Sequence, residues 1–279
     1  MTNFNPYEKI IIALDYQDGE SALKLVRQLR DIPVKYKVGM ELCTAVGAPQ
    51  IIEAIQNMGG RIFLDLKFKD IGNTVKGAAR SAAGLGVDMF NVHASMKVPS
   101  QQAAMQGAKE GAEEEGLPIP KVIGVTLLTD HDQGDLTALG IKKSKVIDYV
   151  VRLGLLTKEA GLDGIVCSPL ELPVMRYILG DDATIVTPGI RPAWAAAPDE
   201  QKRITTPAAA IRMGGSELVI GRPITKPPQG ITPAEALDMI AEEINDAMPD
   251  WGKNALSEAE KYKMGVLQAK LDIERYRNR

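Results

Sequence analysis

Cysteine and histidine are scarce: two of each occur in 279 residues. Cys43 and Cys167 each lie in or beside an apolar run and form no C-x-x-C motif. A disulfide framework is therefore not expected, and both read as buried, reduced thiols. With only His93 and His131, and no H-E-x-x-H, a zinc site is not expected either. No apolar run approaches the roughly 20 residues of a membrane span. The opening residues MTNFNPYEK lack the basic and then apolar regions of a secretory signal. There is no excess of positive charge: the net charge is -3 and the pI about 5.6. That excludes a global electrostatic footprint for nucleic acid or an anionic membrane, and neither Trp194 nor Trp251 suggests a base-stacking platform. No strand is followed by G-x-G-x-x-G or by a P-loop, so the nucleotide-binding fingerprints of open α/β sheets are missing. What remains is a cytoplasmic globular protein of ordinary composition, 45% hydrophobic and 25% charged.

The chain is organised around Phe63 to Thr74, which reads FLDLKFKDIGNT. Side chains on a strand alternate faces, so Phe63, Asp65 and Lys67 share one and Ile62, Leu64 and Leu66 the other. Burying an acid and a base is costly unless they pair. Asp70 follows just past the strand, and Asn73 and Thr74 are expected to cap a helix over Val75 to Leu85. The spacing admits either a catalytic acid–base–acid cluster or a salt-bridged strand end.

Other apolar runs read as strands at Ile10–Leu14, Lys35–Gly39, Met89–His93, Val122–Leu128, Gly164–Cys167, Thr184–Val186 and Glu217–Ile220. Helical stretches fall between them, with Lys145–Ala160 clearly amphipathic and Thr232–Ala247 closing the series. Eight such β/α units predict an α/β fold, a (β/α)8 TIM barrel, over an open doubly wound sheet. Residues 1–247 would form this catalytic domain. In a barrel, function sits at the C-terminal strand ends. Those ends carry Asp15, Lys37, Asp65 with Lys67 and Asp70, His93, Thr129, Ser168, Arg191 and Arg222. His93 reads as a hydrogen-bonded pocket wall. The loops after strands seven and eight, TPGIRP at 187–192 and IGRPIT at 220–225, each pair glycine with arginine, which suits a phosphate. Between them, 193–202 reads as a lid, with Gln201 near its end.

These residues resemble the orotidine 5'-phosphate decarboxylase family. The resemblance rests on Asp65-x-Lys67-x-x-Asp70-Ile71 with Asn73-Thr74, and on Leu14-Asp15, Lys37-Val38-Gly39, Leu128-Thr129 and the two glycine–arginine loops. It runs from about residue 8 to 247. It implies decarboxylation of orotidine 5'-monophosphate to UMP in pyrimidine synthesis, by a homodimer using no metal and no cofactor. Carried across, Lys67 donates a proton to C6 of the pyrimidine, flanked by Asp65 and by Asp70, which enters the partner's site. Asp15 and Lys37 hold the ribose, Thr74 faces the ribose from the partner side, Ile71 binds the substrate, and Thr129 contacts the pyrimidine. Arg191, Gln201, Gly221 and Arg222 hold the phosphate and its lid. The chemistry agrees: loss of CO2 leaves a carbanion, which an adjacent ammonium stabilises and then protonates. Gly72 and Lys69 depart from the usual proline and histidine without removing a catalytic group.

The C-terminal extension, 248–279, goes beyond the resemblance. Ser257-x-x-Glu260 suggests a capping box, and Ala259, Tyr262, Val266, Ala269, Ile273 and Tyr276 form a helical seam. It suits packing on the barrel or across a dimer. Two other functions fit the same barrel. A metal-dependent sugar-phosphate decarboxylase or aldolase would need a carboxylate where Lys37 stands. A non-catalytic phosphate-ligand sensor would keep Arg191 and Arg222 but not need Lys67.

Overall fold

The protein is described by a computed structural model covering residues 4–142, 144–195 and 205–277. Eight parallel strands close into a barrel in chain order. They are β1 (Ile10–Ala13), β2 (Lys35–Gly39), β3 (Arg61–Phe68), β4 (Met89–His93), β5 (Lys121–Val125), β6 (Gly164–Val166), β7 (Thr184–Thr187) and β8 (Glu217–Ile220). The ring around them runs α1 (Gly19–Leu29), α2 (Met40–Val46), α3 (Ala48–Gln56), α4 (Gly72–Gly84), α5 (Val98–Glu115), α6 (Gln133–Ala138), α7 (Val146–Ala160), α8 (Leu172–Leu179), α9 (Pro207–Arg212), α10 (Arg222–Thr225) and α11 (Pro233–Ala247). The chain ends in α12 (Lys253–Ala259) and α13 (Lys263–Arg277). The expected TIM barrel with an extra C-terminal helical segment is the observed fold.

Alternation sorts each strand. Ile11, Ala13, Phe63, Met89, Ile123, Val186 and Val219 pack together inside the barrel. Ile10, Ile12, Ile62 and Leu64 face the helices. The interior carries charge at both ends. At the N-terminal end, Lys35 and Glu217 form a buried ion pair at 2.5 Å across the β1 gap. At the other end lies the candidate site. The helices follow local chemistry: Asp18 caps α1 by accepting from Ser21 N–H at 2.7 Å, and α5 and α7 stop at Gly116 and Gly161, both left-handed.

Three local expectations change. Asn73 and Thr74 do not cap α4; they lie within its first turn, and Ile71 is the N-cap without a side-chain bond. The loop from β3 is too short to delay the helix. β5 stops at Val125; Thr126 donates both its N–H and its hydroxyl to the Val166 carbonyl, and the chain then turns. α8 was not apparent in the sequence. Its residues LPVMRYIL are few and buried on most sides, and an apolar run this short does not tell helix from strand.

α4 and α5 pack so closely that a Cβ on Gly107 or Gly111 would overlap the carbonyl of Lys76 or Arg80. Lys76–Glu110 at 2.8 Å and Arg80–Glu114 at 2.7 Å flank this contact. α12 lies on α8 and α13 on α7. Ala255, Ala259, Val266 and Ala269 are buried there, and Arg152 pairs with Asp272 at 2.9 Å. A 3-10 turn at Glu260–Tyr262 interrupts the expected continuous seam. The side chains of Ser257 and Tyr276 lie outside the described set. Trp251 fixes the start of the extension: its indole N–H donates to Gly215 O at 3.0 Å, and the Arg176 guanidinium sits 4.8 Å from its ring.

Candidate active site

Parallel registry sets the site. Ala13 pairs with Lys37 and Gly39 with Asp65, so Asp15, Lys37 and Asp65 rise to neighbouring heights on β1, β2 and β3. Lys37 Nζ donates to Asp15 Oδ1 at 2.9 Å and lies 3.4 Å from Asp65 Oδ2. Lys67 Nζ donates to the other oxygen, Asp65 Oδ1, at 2.7 Å. The result is an unbroken chain, Asp15–Lys37–Asp65–Lys67. Gly39 makes room for it, since a Cβ there would stand 3.0 Å from Lys37 Nζ.

β3 is not a regular strand where it carries this chain. Leu64 pairs with Phe90 on β4, but the next pair is Phe68 with Val92. Asp65, Leu66 and Lys67 therefore face one residue, Asn91, across a bulge. Lys67 takes a left-handed backbone, φ 53°, the one positive φ at a non-glycine among the described residues. That conformation costs about 1–2 kcal/mol. Asn91 is 1% exposed. Its Oδ1 accepts from Lys67 N–H at 2.7 Å and its Nδ2 donates to Asp65 Oδ1 at 2.7 Å. Sequence reasoning passed over Asn91; the available signal was a lone amide inside the apolar run MFNVH.

Electrostatics favour the ionised pairings. Burial alone would raise Asp65, but Lys37 and Lys67, with hydrogen bonds from Lys67 and Asn91, hold its carboxyl below the usual carboxylate range. Burial likewise opposes the charged form of Lys37, yet Asp65 and Asp15 push it above the ordinary lysine range. His93 is lowered by burial and then by Lys69 and Lys67, so its imidazole is neutral at pH 7. Its ring makes no hydrogen bond among the described residues, unlike the hydrogen-bonded wall expected.

A cavity of about 180 Å³ opens above these groups. Lys37, Asp65, Lys67 and Thr129 supply its polar side, and Phe63, Leu127, Pro188 and Val219 are among its apolar walls. Cys167, reduced and buried, also lines it, whereas Cys43, also reduced, is only half-buried and pushed up by burial. Around the rim, Arg191 follows β7, its N–H donating to Thr205 O at 2.9 Å, and Gly221 and Arg222 follow β8. Gln201 lies outside the described residues, as does the rest of 196–202 of the expected lid. Asp70, Ile71 and Thr74 do not join the cluster. Asp70 Oδ1 accepts from Ile71 N–H at 2.6 Å, Ile71 is 71% exposed, and Asp70 and Thr74 are exposed. Lys67 thus pairs with one carboxylate of its own chain.

Fold and site together define a barrel enzyme with a lysine–aspartate centre at the C-terminal ends of its strands. Residues 8–238 match the model of the orotidine 5'-phosphate decarboxylase / HUMPS family. An orotidine 5'-phosphate decarboxylase of Nostoc sp. is 48% identical over 219 residues, covering 78% of this chain and 90% of that protein. One of Nitrosospira multiformis is 48% identical over 238 residues, covering 85% and 94%. The crystal structure of orotidine 5'-phosphate decarboxylase from Lactobacillus acidophilus superposes with a TM-score of 0.74 at 35% identity, covering 85% of this chain and 99% of that one. The chain belongs to the orotidine 5'-phosphate decarboxylase / HUMPS family.

Proposed function

We propose that this enzyme decarboxylates orotidine 5'-monophosphate to UMP in pyrimidine synthesis, with Lys67 as the proton donor. The observation that carries this reading is the Asp15–Lys37–Asp65–Lys67 chain beside a small, largely apolar pocket. At about 180 Å³ the pocket is smaller than the roughly 300–1,000 Å³ of most ligand sites. It suits a flat pyrimidine, leaving ribose and phosphate to the rim.

In this mechanism the substrate carboxylate lies toward Asp65. The C6–carboxylate bond breaks, CO2 leaves, and the electron pair stays on C6. The Lys67 ammonium stabilises that carbanion and transfers a proton to it; the amine then recovers a proton from solvent. Departure of neutral CO2 relieves repulsion against Asp65, and phosphate binding energy drives closure of the site. Asp15 and Lys37 hold the ribose, Thr129 the pyrimidine, and Arg191, Gln201, Gly221 and Arg222 the phosphate.

The enzyme works as a cytoplasmic homodimer in this reading. The outward placement of Asp70 and Thr74 around the start of α4 supports their entry into a partner's site. Neither cysteine forms a disulfide among the described residues, and no helix among them is long and apolar enough to cross a membrane. Residues 1–247 form the catalytic unit and 248–279 an appended segment, in keeping with the family match ending at 238. The metal-dependent reading is disfavoured because the Lys37 ammonium already fills the space between Asp15 and Asp65, where a cation would be repelled.

The test is loss of orotidine 5'-monophosphate absorbance with purified protein, with and without EDTA. Turnover that survives the chelator and vanishes in Lys67→Ala supports the reading. Turnover lost with EDTA points to the metal-dependent relatives, and UMP binding without turnover to a sensor.

A further inference from the structure

We propose that Asn91 is a positioning residue for the decarboxylation, its one carboxamide fixing the Asp65 carboxylate and the Lys67 backbone in a single geometry. The inference rests on the decarboxylase reading above and assigns a role to a residue that is buried and does not line the cavity. Across the bulge, three residues of β3 face one of β4, so the strand ladder has no carbonyl for Lys67 N–H. A buried N–H needs an acceptor, and Asn91 Oδ1 is that acceptor at 2.7 Å. The same side chain turns its NH2 to Asp65 Oδ1 at 2.7 Å, the oxygen that also receives Lys67 Nζ. The amide orientation is forced: reversing it would set NH2 against N–H and carbonyl against carboxylate.

The chemistry of the position is narrow. It demands a donor and an acceptor on one short, neutral, planar group, which only asparagine supplies at this length. Aspartate would keep the acceptor for Lys67 but face Asp65 with a second carboxylate. Alanine would leave the left-handed Lys67 backbone unsupported and a buried N–H unpaired. Asp65 is otherwise faced by Lys37 from β2 and Lys67 from its own strand, with Asp15 reaching it through Lys37, and with His93 on β4 and Cys43 on α2 more distant. None of these holds the Lys67 backbone.

The experiment compares the parent with Asn91→Ala and Asn91→Asp. It measures kcat and KM for orotidine 5'-monophosphate against pH, the melting temperature, and the 13C carboxyl titration of Asp65. We expect Asn91→Ala to lower kcat by up to about 100-fold, the scale of a small misplacement of reacting groups, with KM little changed. Asn91→Asp should move the acid limb of kcat/KM, and the Asp65 titration, to higher pH. A folded Asn91→Ala protein with parental kcat and only a lower melting temperature would overturn the proposal. If Asn91→Ala does not fold, the similarly sized Asn91→Asp decides: an unmoved acid limb and an unmoved Asp65 titration reject it. A parent inactive on this substrate would refute the decarboxylase reading, while the carboxyl titration would still judge whether Asn91 sets Asp65.

Discussion

Lys67 and Asp65 stand two residues apart in β3, and their Nζ and Oδ1 atoms meet at 2.7 Å. The bulge against β4 and the left-handed backbone at Lys67 accompany this contact. A carboxylate shared by Lys37 and Lys67 is thereby fixed before substrate arrives, which is what electrostatic catalysis requires.

Lys67→Ala should lower kcat by at least the roughly 10²–10⁴-fold expected for a lost proton donor, while UMP still binds. Steady-state assays beside calorimetric titration of UMP check this. More than a tenth of parental kcat would remove Lys67 from the donor role.

Shared sites predict complementation. Lys67→Ala and Asp70→Ala chains should each be inactive alone and should regain activity when mixed under subunit exchange, because one site of the mixed dimer keeps both residues. Mixtures that exchange subunits and stay inactive would place Asp70 in the site of its own chain.

Stability should be level through neutral pH and fall at both extremes. Asp65 is depressed in the folded state, so its contribution is present above the usual carboxylate range and is lost as pH drops through its own lower value. Lys37 is raised, so its contribution is present below the usual lysine range and is lost as pH climbs through its higher value. Urea unfolding across pH measures this, and Asp65→Asn should flatten the acid-side slope. An unchanged slope would assign the acid loss to other carboxylates.

The buried pair at the far end of the barrel gives a stability prediction remote from the chemistry. Glu217→Ala should cost about 3–5 kcal/mol by leaving the Lys35 charge buried and unpaired. The double replacement Lys35→Met with Glu217→Leu should recover most of that. Urea midpoints for the single and double variants decide it; equal losses would mean that the pair contributes no more than its packing.

Gly107→Ala is predicted to destabilise although alanine is ordinarily the better helix former by about 1 kcal/mol. Its Cβ overlaps the Lys76 carbonyl, and overpacking of this kind costs roughly 1–3 kcal/mol. Because α4 begins just after Asp70, kcat should fall as well. Thermal melts and kinetics on the same preparation test this, and a stabilised variant would show that α4 and α5 can separate freely.

Much of the site was legible in one dimension. Asp65 and Lys67 stood out as charges at the end of an apolar strand, and alternation put Phe63 and Asp65 on one shared face, which the structure turns to the barrel interior. Asn91 did not stand out, because an amide in a strand has no meaning until its neighbour across the ladder is known. The capping role expected of Asn73 and Thr74 failed for a related reason: the short loop after β3 starts the helix earlier than side-chain preference suggests.

The sequence by itself determined the eight strands and most of the helices between them, the two faces of β3, and the charges carried to the C-terminal strand ends. These follow from periodicity and local solvation, which act over a few residues. Tertiary structure decided the rest. It joined Lys35 to Glu217 across 182 positions, set three residues of β3 against Asn91, and turned Lys67 into the left-handed region. Each depends on ladder register between strands distant in the chain, and a buried donor finds its acceptor only once closure of the barrel has fixed that register.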